Sequence, residues 1–189
     1  MNLRRKFTLG TILLVVLAAL PSLALCGQWP HERDGVVLGF NVGGGTAGLD
    51  VDNASSDRES GAAANVRVAY AFRPEFTFGL ESNIWTKEID GVTWTFSVVA
   101  AGFTYYPSGQ GLFLRAGIGS GTISAEISQG GTTLSADDSG IGLLGAIGYE
   151  WRLTRKFALG PQADFGFMDV GDNVSANYFN LTAALNWYL

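Results

Sequence analysis

Cysteine and histidine are each represented once in this 189-residue chain, and charged residues make up only 15% of it. The lone Cys26 rules out a disulfide within the chain. The lone His31 leaves no Ser/His/Asp set to assemble, and neither zinc-site spacing nor a phosphate-binding loop is present. Beyond residue 26 no apolar run reaches 18 residues, so no helix is expected to span a membrane from there on. Positive charge is also scarce. Three of the 12 basic residues and none of the 17 acidic ones lie in the first 26, so without that segment the net charge moves from −5 to −8. That sign argues against a nucleic-acid partner.

What is present begins with a secretory signal over residues 1–26: Arg4, Arg5 and Lys6 form a charged start, Leu9 to Leu20 an apolar stretch, and Pro21 breaks it. Cleavage is expected after Ala24 or after Cys26. Leu25 is too large for a lipoprotein box ending at Cys26. The Arg4-Arg5 pair reads as an ordinary basic start, because a twin-arginine signal carries folded cargo whereas a membrane barrel crosses the inner membrane unfolded. Residues 27–189 then suit one domain.

With 47% hydrophobic residues and 26 glycines but no long apolar run, the apolar content must alternate. Eight alternating segments fall near 35–47, 62–72, 76–85, 93–106, 112–124, 140–153, 157–167 and 177–189, each about the roughly 9–11 residues of a tilted membrane strand. In the second, Val66, Val68, Tyr70 and Phe72 share a face opposite Asn65, Arg67, Ala69 and Ala71; in the seventh, Phe157, Leu159, Ala163, Phe165 and Phe167 oppose Ala158, Gly160, Gln162, Asp164 and Gly166. The fourth changes parity between Trp94-Phe96-Val98 and Val99-Ala101-Phe103-Tyr105, which predicts a bulge near Val98-Val99. Tight turns at 73–75, 107–111 and 154–156 alternate with longer polar loops at 48–61, 86–92, 125–139 and 168–176, and Gln129-Gly130-Gly131 is placed to close a hairpin extending past the membrane. The fold expected is all-β: an eight-stranded antiparallel up-and-down transmembrane barrel with its turns toward the periplasm.

A soluble eight-stranded barrel would carry its apolar face inward. Here that face bears Tyr, Trp, Phe and Leu while the other is rich in Gly and Ala, and an eight-stranded interior is narrow. The bulky face therefore belongs outside, against lipid. Phe72, Phe76, Tyr105, Trp151, Phe157 and Trp187 at the turn ends, and Trp85 and Trp94 at a loop end, are expected to form the two interfacial aromatic belts.

The stretches GLFLRAGIG (111–119), GLLGAIGYEWRL (142–153) and FALGPQADFGF (157–167), with the TYYP turn (104–107), resemble the small outer-membrane barrels related to outer membrane proteins A and X across essentially the whole mature chain. The resemblance implies a plugged barrel in the bacterial outer membrane, inserted there by the outer-membrane assembly machinery after Sec-type export, and it implies no activity. Leu185, Trp187 and Leu189 keep the alternation of a terminal assembly strand, although such strands usually end on an aromatic residue.

On the inner face, the short turn at 73–75 sets Arg67 opposite Glu81. Arg115 and Glu150 are placed to form a second pair, and Arg152, Gln162 and Asp164 complete the polar set. Unpaired charge in a confined lumen is costly, so these residues are read first as a plug, with a narrow channel as the alternative. Barrel enzymes of outer membranes use a histidine at the rim or in the loops; His31 precedes the first strand on the turn side, so no catalytic residue, metal or cofactor is expected. The four longer loops carry Asp50, Asp52, Asp57, Glu59, Glu88, Asp90, Glu126, Asp137, Asp138, Asp169 and Asp172 against Arg58 and Lys87. This acidity keeps the surface soluble and offers contacts through divalent cations to lipopolysaccharide, or to a cationic ligand. The protein is thus expected to be a monomeric structural or surface-interaction barrel whose partners are outer-membrane lipids and lipopolysaccharide.

Overall fold

A computed structural model describes residues 29, 30, 32–51, 54–129, 132–171 and 173–189. The expected signal segment, His31, Asp52, Asp172 and the Gly130-Gly131 tip lie outside the described residues.

Eight long strands account for nearly all of the rest: β1 (Gly35–Val51), β2 (Glu59–Arg73), β3 (Phe76–Ile89), β4 (Val92–Tyr105), β5 (Leu112–Gln129), β6 (Thr132–Tyr149), β7 (Phe157–Gly171) and β8 (Val174–Tyr188). The pair Trp151–Arg152 carries β6 past Glu150 to continue its pairing with β7, and Ala54–Ser55 folds back on the end of β1. Each long strand pairs antiparallel with its neighbour in sequence, and β8 returns to β1 from Val37↔Tyr188 to Val51↔Val174. The sheet closes into a barrel without a free edge.

The strands run further than the apolar alternation suggested. β5 and β6 are each 18 residues long and stay paired from Leu112↔Tyr149 to Gln129↔Thr132. At a rise of about 3.3 Å per residue and a tilt near 40°, such a strand climbs roughly 45 Å, well beyond an apolar band of ~25 Å. Most of what the sequence marked as polar loop is therefore ladder standing clear of lipid, because backbone pairing needs no apolar face to continue. β3 and β4 meet in a two-residue turn, Asp90-Gly91, with φ of 52° and 81°. Positive φ at both central residues matches the right-handed strand twist, and glycine takes it without strain. At the other end, Arg73 pairs with Phe76 across a register shift after Ala71, so Phe72 does not face Phe76 in the ladder although their rings stack at 6.2 Å.

Polarity inverts along the barrel axis, and this corrects two expectations. In the turn-side half, outward positions are apolar (Phe40, Leu80, Ile118, Phe165), while the inward ones are the polar set interspersed with small residues such as Ala69, Ala71 and Ala158 and with Val37 and Phe113. In the hairpin half, outward positions become Thr93, Thr95, Ser97, Thr122 and Ser124, while the inward ones become Trp85, Phe96, Val98, Ile123, Met168 and Tyr178. Above the lipid the outside is water, so the apolar side chains pack inward as in a soluble core. The change of parity in β4 therefore requires no bulge: its register with β3 is unbroken from Phe76↔Tyr105 to Ile89↔Val92. Trp85, 1% exposed, and Trp94, which packs against the same cluster, are interior residues and not part of an outer interfacial belt.

Phe72, Phe76, Tyr105, Trp151, Phe157 and Trp187 do lie on the outer surface near the turn end, and Phe76 and Tyr105 stack at 5.0 Å. Between them and the polar rim the wall is apolar: Leu143 of β6 is flanked by Ile118 of β5 and Phe167 of β7. Leu143→Arg is accordingly expected to cost roughly 2–4 kcal/mol of folding free energy in lipid vesicles. Ser124→Arg, beyond the apolar band, should cost little. Equal losses at the two sites in a urea titration would show that the band is misplaced.

Candidate functional site: the barrel lumen

Alternation brings all seven polar side chains expected inside to the lumen. Arg67, Glu81, Arg115, Glu150, Arg152, Gln162 and Asp164 are buried, none more than 6% exposed. They form two tiers, and the partners differ from those that cross-strand register alone implied.

In the middle tier, Arg67 and Glu81 are register partners on β2 and β3. The carboxylate of Glu81 nevertheless binds past its register partner: Arg115 Nη1 on β5, two strands away, donates to Oε2 at 2.8 Å, and Asn65 Nδ2 on the adjacent β2 donates to Oε1. Arg115 Nε also donates to Thr104 Oγ1 at 3.1 Å, while Arg67 Nη2 donates to Thr77 Oγ1. Asp164 accepts from Gln162 Nε2 and, at 3.2 Å, from Thr182 Oγ1. Above them Asn180 Nδ2 donates to Asn83 Oδ1 at 3.1 Å, the last direct polar link below the apolar upper lumen. The long guanidinium of Arg115 can cross a narrow barrel, so contact follows proximity in space and not only adjacency in the ladder.

The lower tier centres on Glu150. It sits beside Gly111, whose carbonyl accepts from the Glu150 backbone N–H at 2.9 Å, whereas Arg115 is level with Ala146. That four-residue offset separates Glu150 from Arg115, and the expected pair does not form. Glu150 instead takes Arg33, through Nε at 3.1 Å and Nη2 at 2.8 Å, together with Tyr188 Oη at 2.7 Å and Asn186 Nδ2 at 3.0 Å. Arg152 adds a longer ionic contact at 4.0 Å.

Arg33 was not legible in the sequence. It lies just before β1, outside any strand, so no alternation marks which way it points. It enters the turn-side mouth and donates to the carbonyls of Pro74 at 3.1 Å, Gly109 at 2.8 Å and Gln110, with its guanidinium 3.5 Å from the Tyr106 ring centre. One side chain thereby ties the N-terminal segment to two turns and to β6. Burial acts to lower its pKa, but the charge of Glu150 and its neighbours outweighs this and leaves it above the ordinary arginine value. Arg152 closes the mouth alongside it, 3.5 Å from the Tyr188 ring centre and donating to the carbonyls of Arg155 and Glu32.

The chemistry of this lumen is that of satisfied carboxylates, while Arg67 Nη1, Arg152 Nε and Gln162 Oε1 are buried without a hydrogen-bond partner. Glu150 carries several donors on an acceptor-only group, and each buried carboxylate has a cation or amide against it. Among the described residues no group of three His, Cys, Asp or Glu side chains is arranged to hold a metal ion.

No family model matches the chain, and no curated protein matches it in sequence. Solved structures do match in fold. The attachment invasion locus protein Ail of Yersinia pestis, solved with the heparin analogue sucrose octasulfate, aligns with a TM-score of 0.60 at 16% identity, covering 82% of this chain and 100% of that one. Neisserial surface protein A aligns with a TM-score of 0.62 at 13% identity, covering 84% of this chain and 99% of that one. At such identities the likeness concerns the fold. Taken with the apolar wall and the closed eight-stranded sheet, it gives this chain the fold of the small eight-stranded outer-membrane β-barrels.

Proposed function

We propose that the chain acts as a sealed barrel of structural or surface-interaction type, and not as a pore. The observation that carries this reading is the two-tier network across the lumen, in which Arg115–Glu81 and Arg33–Glu150 bridge elements that are not sheet neighbours. A conducting path would have to strip these groups from one another, at a high cost for buried pairs. Purified protein in a planar bilayer should show no regular unitary steps. Reproducible steps altered by Arg115→Ala would make the lumen a channel and end this reading.

The paired hairpins above the apolar band present the acidic residues, so in this reading they form the outward surface, meeting lipopolysaccharide through divalent cations or meeting cationic ligands. The outer-membrane assembly machinery places the barrel, and its edgeless sheet suits a monomer. An epitope inserted next to Asn53 or Gly130 should be accessible on intact cells, and one at Thr154 should not. Surface labelling at position 154 with the envelope intact would reverse the orientation.

A further inference from the structure

Closure leaves the barrel without a free edge, but one hairpin outruns the barrel. β5 and β6 stay paired up to Gln129↔Thr132, whereas β7 accompanies β6 only as far as Ile141↔Asp169. Gly140 is the last residue of β6 against β7, so close that a Cβ there would come within 1.9 Å of the Asp169 carbonyl oxygen. From Thr132 to Ser139, β6 therefore has β5 on one side and, among the described residues, no strand on the other. The far side of β5, by contrast, is covered by β4 as far as Val92↔Ile127. Along the open side of β6, alternate residues turn their N–H and C=O groups away from β5, the arrangement onto which an extended chain adds.

We propose that this edge of β6 captures an extended basic segment of another protein as an additional antiparallel strand. The inference rests on the reading of the paired hairpins as the outward surface, and it names the chemistry of the partner. In strand addition, backbone hydrogen bonds supply affinity and the side chains along the edge supply selection. Two features select here. The first is charge. No Lys or Arg occurs between Arg115 and Arg152, while Asp137 and Asp138 lie exposed within the edge and Glu126 lies exposed on β5 beside it. Adjacent residues of a strand face opposite sides, so the two aspartates put negative charge on both faces. In cross-strand positions they favour lysine or arginine, and they repel a second copy of the same edge centred on them. The second feature is an apolar row: Val92, Ile127 and Leu134 are successive register partners across β4, β5 and β6, and Ile127 and Leu134 remain 45% and 71% exposed. An aliphatic residue opposite Leu134 extends that row by one strand. In antiparallel pairing it follows, after two intervening residues, a dibasic step opposite Asp138 and Asp137.

The test uses the mature chain in non-ionic maltoside micelles and a fluorescent, end-capped peptide, Thr-Lys-Lys-Thr-Thr-Val-Thr-Thr, followed by anisotropy. Saturable binding is expected, weakened about fivefold by the double variant Asp137→Asn/Asp138→Asn and about tenfold or more when glutamates replace the peptide lysines. The double variant alters only exposed side chains, and heat-dependent gel migration reports its folded barrel. Two isomeric peptides, N-methylated at their even or their odd residues, show whether the backbone takes part. An added strand turns alternate N–H groups toward β6, so one isomer should bind within about threefold of the parent and the other lose about tenfold or more. Equal binding of the two isomers would reduce the contact to charge attraction and overturn the proposal, as would the absence of saturable binding. A dimer in micelles that the peptide dissociates would give the edge to a second copy and overturn it equally. Both ends of the barrel are accessible in micelles, so the outcome depends neither on which end faces outward nor on whether the lumen conducts.

Discussion

Glu150→Ala is expected to be the most damaging single change in the barrel, lowering its stability in lipid vesicles by about 3–5 kcal/mol, the range typical of breaking a buried ion pair from one side. The reason is the number of groups that would lose their partner at once. Arg33, Tyr188 and Asn186 all donate to this carboxylate, and Arg152 lies in ionic contact with it. Arg33 would keep the Pro74, Gly109 and Gln110 carbonyls but lose the charge of Glu150 against its buried guanidinium. Glu150→Gln should recover part of the loss, because an amide oxygen still accepts from Tyr188. The double variant Arg33→Ala/Glu150→Ala should be less destabilised than Glu150→Ala alone, since it also removes the buried cation that Glu150 held. Urea unfolding of the three proteins, followed by fluorescence, decides the matter: a single-variant loss below about 1 kcal/mol would mean that water replaces the network freely.

A comparably large effect is expected where Glu81 bridges the barrel. Glu81→Ala should again cost about 3–5 kcal/mol, because Arg115 would be left buried without its partner, while removal of both side chains should be closer to neutral. In a double-mutant cycle the coupling between Glu81 and Arg115 should reach about 1–3 kcal/mol, and that between Glu81 and Arg67 should be clearly smaller. The distinction is informative because Arg67 is the register partner of Glu81, yet the structure gives the carboxylate to Arg115, two strands away, and turns Arg67 to Thr77. A larger coupling to Arg67 would place the carboxylate on its ladder neighbour and remove the strut across the lumen.

These two carboxylates also mark how far residue patterns can be taken. The period of two was enough to place Glu81, Glu150, Arg67 and Arg115 inside the barrel, because a strand has only two faces and the narrow interior of eight strands leaves room for few bulky apolar side chains over the lipid-covered length, Phe113 and Leu144 among them. The same reasoning set the strand number and the facing of Arg67 and Glu81, since a short turn determines the register that follows it. It failed for Trp85 and Trp94. It assumed one solvent outside the wall, whereas the barrel passes from lipid into water and the inward preference of an aromatic side chain reverses at that boundary. Nor did pattern report how far the strands extend, as a hydrogen-bonded ladder continues through Thr, Ser and Asp once hairpin turns hold its ends.

What the sequence determined by itself was the facing of each side chain along the lipid-covered wall, because that depends only on parity and on local chemistry. What the tertiary structure alone decided was partnership: Arg115 with Glu81 across the lumen, and Arg33 with Glu150 at the mouth. Closing the sheet brings together residues far apart in the chain, such as Arg33 and Glu150, 117 positions from one another. Which of them meet is set by curvature, side-chain reach and offset along the strands, and none of these is a property of any one segment.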